Sequence, residues 1–320
     1  MHPSRELLAC PACTGSLAED WSCSACDIRY DAPDGIPNLR LPGDARTEAV
    51  RCFYQQAPFP DYPPNASIGW LRARAQRSDF ARLLDRAISS DAHILDFGCG
   101  TGQMSLYLAR AHRVVIGADL TRASLRLAEA AARRFEVNQV QFVETDLHRS
   151  GLRDGAFDVV YSSGVLHHTP DPRAAFAHLA RLVRPGGIIV LGLYNAFARI
   201  PFRLRRMVAQ LTGYRCIPFD PVLKDREEEP ARREAWARDQ YQHPEEHCHT
   251  LAEVQAWFEE NGVEFVRAYP SAMLNQESES EDLFENAADN WRIEGWIAQI
   301  GWIAALGHEG GLFVTIGRRL

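Results

Sequence analysis

Lysine is almost absent from this chain of 320 residues: Lys224 stands alone among 35 basic residues, and arginine fills the other positions. That preference reads as coding bias. The formal charge of −7 excludes a chain-wide excess of cations of the kind that polyanion binders carry. Long apolar runs are missing too. The most apolar late segment, Ile293 to Leu306, is too short to span a bilayer and carries Glu294 and Gln299. The start, Met1-His2-Pro3-Ser4-Arg5, lacks the apolar stretch of a secretory leader. Together these absences predict a cytoplasmic protein with no membrane partner. The apolar fraction of 46% is still ample for one large domain plus a small one.

One further absence narrows the ligand. Ile94-Leu95-Asp96-Phe97-Gly98-Cys99-Gly100-Thr101-Gly102 is an apolar strand ending in an acid and a turn with glycine at alternate positions. Glycines let the backbone turn sharply and approach a ligand closely. The dinucleotide fingerprint needs a further glycine at position 103, where Gln103 stands. Asp96 would also repel a pyrophosphate. A ligand with a cationic head suits the turn better, and S-adenosylmethionine has one.

Further strands follow at fitting intervals. Val114 to Asp119 ends in an acid about 20 residues after the first glycine, where a carboxylate can take a ribose diol. Val140 to Asp146 ends in an acid suited to an adenine amino group. Phe157 to Ser163 leads into Gly164-Val165-Leu166-His167-His168-Thr169-Pro170-Asp171-Pro172. Arg184-Pro185-Gly186-Gly187 reads as a tight turn before a fifth strand, Ile188 to Leu193. Helical stretches such as Ser124 to Phe135 and Ala174 to Val183 alternate with the strands. That alternation predicts a parallel sheet with helices on both faces and a ligand at the carboxyl ends of its strands.

On these residues, 91–195 resembles the core of the class I S-adenosylmethionine-dependent methyltransferases. The resemblance implies an α/β, Rossmann-like seven-stranded sheet. It implies cofactor contacts at Asp96, Gly98, Cys99, Gly100, Gly102, Asp119, Leu120, Asp146, Leu147 and Ser162. The Leu166-His167-His168-Thr169-Pro170-Asp171-Pro172 wording resembles the branch that methylates quinones and other small molecules. Ser162-Ser163-Gly164-Val165 departs from the Asn/Asp-Pro-Pro-Tyr signature of enzymes that methylate amino groups of bases or glutamine.

Four of the eight cysteines form two C-x-x-C knuckles, Cys10 with Cys13 and Cys23 with Cys26. This spacing reads as a structural zinc site with four thiolate ligands and no open position. Metal would supply folding energy that so small a segment cannot draw from its own core. A redox reading is the rival, and it lacks a thioredoxin-like pattern around either knuckle. Residues 7–41, through Tyr30 and Asp34-Gly35-Ile36-Pro37, resemble the small zinc-ribbon proteins that activate methyltransferases. A similar ribbon precedes some ribosomal-RNA methyltransferases, which keeps RNA as an alternative acceptor.

The chain thus divides into a zinc ribbon (1–43), a linker and lid helix (44–90), the core (91–195), an insertion or cap (196–250) and the last strands (251–320). The lid is aromatic and proline-rich from Phe53 to Pro64, with Tyr54 or Tyr62 expected at the pocket, and Ile68 to Ile88 reads as one helix. Arg199 to Arg206 reads as a solvated amphipathic helix or a local basic patch. Asp225 to Glu229 is a charged run. Tyr241, His243, Glu246, His247 and His249 are open to three readings: a second metal site, an acceptor pocket or packing. Thr250 and Glu253 form a capping-box start for a helix to Asn261. Strands six and seven, Val263 to Ala268 and Gly311 to Gly317, enclose an insertion with the acidic run 277–282 and a helix Trp291 to Leu306. That insertion is a second cap or a homodimer contact through Trp296, Ile300 and Ile303. Methyl transfer requires alignment above all, with a base only for a weak nucleophile. His168 is the first choice for that base and His243 an alternative, with His167 and Tyr194 behind them. The expected function is methyl transfer to a small or medium-sized acceptor. The alternatives are RNA methylation and a zinc-ribbon interaction protein that binds the donor without catalysis.

Overall fold

The computed structural model describes residues 3–60, 62–63, 65–225, 230–271, 282–285, 291–306 and 310–320. The charged stretch 226–229 and the acidic stretch 277–281 lie outside them. Seven strands form one sheet: β1 (His93–Phe97), β2 (Val114–Asp119), β3 (Val140–Glu144), β4 (Phe157–Ser163), β5 (Val183–Tyr194), β6 (Val263–Tyr269) and β7 (Leu312–Arg319). Their spatial order is β3-β2-β1-β4-β5-β7-β6. β1 to β5 run parallel, and β7 pairs antiparallel with both β5 and β6. The order reverses between β1 and β4, which opens the crevice where a sheet of this kind takes its ligand.

Apolar residues on both sheet faces are buried, as a sheet covered by helices requires. The first cluster continues into the N-terminal segment: Leu8, Leu17, Tyr30 and Leu39 share it with Leu147 and Leu152. The N-terminal segment therefore packs as part of the main core. Backbone bonds fasten it as well. Leu39 N–H donates to Glu144 O (2.8 Å), and Glu144 N–H donates to Pro37 O (3.0 Å), which extends the sheet beyond β3. Between the knuckles a short antiparallel bridge joins Leu17 and Cys23.

Two elements differ from their sequence reading. The helix read from Ile68 to Ile88 is two helices, Ile68–Gln76 and Asp79–Ala87. The Ser78 hydroxyl accepts from Ala81 N–H (3.3 Å) and starts the second, because serine competes for backbone donors better as a cap than inside a helix. β5 begins at Val183 and absorbs the expected turn Arg184 to Gly187. The opposing register shifts between Phe157 and Val159, so the extra residues are accommodated as an irregularity within the strand. The capping box at Thr250 and Glu253 is present on the helix Leu251–Glu260.

Candidate functional site

A cavity of about 530 Å3 opens at the carboxyl ends of the strands. Asp96 of β1, Asp119 at the end of β2, Asp146 after β3, Ser163 at the end of β4 and Gly164 after it all line it. Gly98, Cys99, Gly100, Leu120, Leu147 and His168 line it too.

The glycine turn has the shape that its residues require. Gly98 has φ +77°, and a Cβ there would stand 2.1 Å from a Val165 methyl. Gly100 has φ +53°, and a Cβ would stand 2.3 Å from the Phe59 carbonyl oxygen. The segment at Phe59 and Pro60 is therefore seated directly on the turn. Thr101 Oγ1 donates to Pro60 O, and Tyr62 OH donates to Thr101 O (2.9 Å). Gly100→Ala forces a backbone atom aside and strains φ. It is expected to weaken binding of the ligand of this turn by roughly tenfold or more, an estimate from a strain of about 1–3 kcal/mol. Calorimetry on the purified variant checks it.

The acids differ in environment. Asp96 is fully buried and accepts from the Ser105 hydroxyl (2.5 Å), a neutral partner. Burial pushes its pKa up to about 7, helped by the Asp119 charge. The free chain is therefore expected to lose stability as pH rises from about 4 to about 7, because the unfolded carboxyl ionises first. Asp119 Oδ1 accepts from Thr121 N–H (2.8 Å) and the Thr121 hydroxyl (2.6 Å), and Oδ2 accepts from Gly100 N–H (2.9 Å). Burial raises its pKa in spite of these bonds. For Asp146, burial is outweighed by the His148 ring and N–H, which hold its carboxyl below the usual range.

On the far side, the helix Ala45–Gln56 brings Thr47, Val50 and Tyr54 to the cavity from one face. The helix Pro230–Gln242 brings Trp236, Asp239 and Gln240, spaced i, i+3, i+4. Tyr54 OH donates to Asp239 Oδ1 (3.0 Å), and Gln240 Nε2 donates to Tyr194 OH (2.8 Å). Tyr194 OH is thus an acceptor toward Gln240 and keeps its own proton to donate.

His168 Nδ1 lies 2.8 Å from Glu245 O. A carbonyl only accepts, so Nδ1 carries the proton and Nε2 keeps a lone pair. Burial lowers the His168 pKa to about 3, so the ring is neutral across the physiological range. His243 stacks behind it with ring centroids 3.7 Å apart and does not line the cavity. Its pKa is also lowered by burial, to about 3. His167 stacks on Tyr194 at 3.8 Å and takes Tyr194 N–H at Nδ1 (3.3 Å).

Other expected residues have different surroundings. Gly102 caps the helix Gln103–Leu108, and a Cβ there would meet Ala128 and Phe142, which makes it a packing position. Ser162 Oγ donates to Phe97 O (2.9 Å) between strands, and its neighbour Ser163 reaches the cavity. Tyr241 donates to Asp220 within a small core of the cap, with Phe202 and Trp236. Arg199, read as part of a solvated face, is 1% exposed and pairs with Glu246 (2.7 Å). Trp236, Asp239 and Gln240 escaped the sequence reading, although their spacing places them on one helix face.

Away from the cavity, the sulfurs of Cys10, Cys13, Cys23 and Cys26 lie within 4.8 Å of one another, and they are the one such cluster of metal-binding groups among the described residues. Cys10 to Cys26 is 3.7 Å and Cys13 to Cys23 is 3.4 Å. Four thiolates around zinc at about 2.3 Å stand about 3.8 Å apart, so the donor set fits that metal. A Cβ at Gly15 would meet the Cys23 and Cys13 sulfurs at 3.0 and 3.2 Å, so the loop is closed around them.

Residues 95–191 match the family model described as a methyltransferase domain. This core is a methyltransferase domain. The match runs from β1 into β5. An uncharacterized protein of Synechococcus is 28% identical over 278 residues, covering 76% of this chain and 66% of that protein. A ubiquinone biosynthesis O-methyltransferase of Albidiferax ferrireducens is 34% identical over 103 residues, 32% of this chain and 41% of its own length. The chain thus spans less than two thirds of the length of these relatives. Among solved structures, the magnesium protoporphyrin IX methyltransferase of Synechocystis with bound SAH is similar in fold. Its TM-score is 0.50 at 16% identity, covering 86% of this chain and all of that one. No helix among the described residues is long and apolar enough to cross a membrane.

Proposed function

We propose that the chain transfers a methyl group from S-adenosylmethionine to a hydroxyl of a small or medium-sized, largely apolar acceptor. The observation that carries this reading is the convergence of Asp96, Asp119 and Asp146 on one cavity that also holds His168. In this reading Asp119 takes a ribose diol, Asp146 an adenine amino group, and Asp96 the positive charge of the donor. Bound there, the donor supplies an electrophilic methyl. The acceptor oxygen attacks that methyl carbon as the carbon–sulfur bond breaks, and the hydroxyl proton passes to His168 Nε2. Tyr194 OH, with its free proton, orients the acceptor.

A neutral His168 with a free Nε2 lone pair can take the proton of a phenol or enol as its oxygen gains the methyl, and this is the acceptor class we propose. The named O-methyltransferase relative supports the same direction. Incubation with methyl-labelled S-adenosylmethionine tests the proposal. Label in a solvent-extractable phenol or enol is the expected result. Label in RNA, or none in any acceptor fraction, overturns it.

Zinc in the four-cysteine site would be structural, since four thiolates leave no open position. Through the Leu39–Glu144 and Pro37–Glu144 bonds the ribbon holds β3, whose exit carries Asp146. Chelation is therefore expected to lower Tm by roughly 5–10 °C and to weaken donor binding as well. Thermal unfolding with and without chelator, alongside metal analysis, checks it.

A further inference from the structure

Of the thirteen exposed large apolar side chains among the described residues, ten sit on two neighbouring cap segments. Seven come from residues 200–219, including Leu204, Met207, Leu211 at 86% exposure and Phe219 at 95%. On the helix Ile200–Leu211 they recur at i, i+4, i+7 and i+11, a single outward stripe, while Phe202 and Ala209 face inward and are buried. The other three, Trp296, Ile297 and Ile300, lie on the helix Trp291–Ala305. The Phe197 ring meets Trp296 edge-on at 5.6 Å, one turn before Ile200, and joins the two stripes. Patches of this kind on a soluble chain mark a docking face.

Charge decides the occupant. Residues 200–219 carry Arg203, Arg205, Arg206 and Arg215 and no Asp or Glu, in a chain whose net charge is −7. Arg206 is committed to Glu246 (3.2 Å), while Arg203 and Arg215 are exposed. A two-fold dimer through this stripe would set each arginine row against its own copy, with no acid on the segment to answer it. An anionic bilayer surface answers both features: acyl chains take Leu211 and Phe219, and head groups take the guanidinium groups.

We propose that this cap face docks on an anionic membrane surface, with the helix Ile200–Leu211 lying in the interface plane. The cavity stands one helix layer behind it. The Phe202 ring stacks on Tyr241 at 6.3 Å, and the helix that carries Tyr241 presents Trp236, Asp239 and Gln240 to the cavity. A lipid-soluble acceptor would then be met at its source. Docking does not depend on methyl transfer, so the two readings fail separately.

The test is vesicle flotation of the full chain, with light scattering in parallel. Phosphatidylcholine vesicles are compared with vesicles containing one-third phosphatidylglycerol. The chain is expected to float with the anionic vesicles and to bind neutral ones roughly tenfold less tightly. Leu211→Glu with Phe219→Glu should weaken anionic binding by roughly tenfold or more. Arg203→Gln and Arg215→Gln should each weaken it about fivefold. All four side chains are exposed, so the variants should unfold at the parent's temperature, and the comparison of lipids needs no variant at all. Equal binding to both vesicle types overturns the proposal. So does absence of binding, including the case of a dimer that Leu211→Glu splits into monomers.

Discussion

His168→Gln is expected to lower kcat by roughly 10²–10³-fold while the donor's Kd stays within about twofold. The ring touches the cavity, its Nδ1 proton is held by Glu245 O, and its Nε2 lone pair is the basic atom on that wall. Glutamine keeps the polarity and most of the volume but cannot take a proton. The pH profile separates this from a structural loss. Burial keeps His168 neutral down to about pH 3, so protonation of His168 should not reduce kcat/KM between pH 8 and pH 5. Donor titration by calorimetry and single-turnover methyl transfer check both parts. A kcat within threefold of the parent, an order-of-magnitude margin well inside the effect of a general base, would remove His168 from the chemistry.

Arg199→Met has the largest expected effect on stability, a loss of about 3 kcal/mol or more. The guanidinium is fully buried, lies 3.9 Å over the Tyr194 ring, pairs with Glu246 and donates to Gly310 O (2.9 Å). It also donates to Gln240 Oε1 (2.5 Å), whose amide in turn holds Tyr194 OH. Removing it leaves Glu246 with Arg206 as its one ion-pair partner among the described residues, and it removes one of the bonds that fix Gln240 and, through it, Tyr194. Urea unfolding should show the lost stability. Acceptor KM should rise while the donor's Kd changes little, because the broken contacts lie in the cap and not at Asp96 or Asp119.

The parts of the site that were legible in sequence are those whose geometry is local. Asp96, Gly98 and Gly100 are fixed within one strand and its turn, and Asp119 and Asp146 follow at the intervals a β-α-β repeat imposes. The cysteines of the ribbon belong to the same class, since each knuckle is its own turn. Of the far wall, Tyr54 was legible and the helix Pro230–Gln242 was not. Asp239 and Gln240 reach the cavity only because the helix Pro230–Gln242 folds back over it, which no local pattern encodes. His243 had the right chemistry but stacks behind His168. Arg199 sits in a run of arginines that looks solvated, and the distant Glu246, Gln240 and Gly310 make its burial tolerable. The break at Ser78 was missed because the apolar stripe continues across it while the hydrogen-bond ladder does not.

Calorimetry of the full chain with S-adenosylmethionine at pH 6 and pH 8 tests the central claim most directly. Burial holds Asp96 near pKa 7 in the free chain, and a cation bound beside it favours the carboxylate. Binding should therefore tighten about tenfold from pH 6 to pH 8, with protons released at pH 6. No heat with this donor or its demethylated product, together with firm binding of a nicotinamide dinucleotide, would contradict the account.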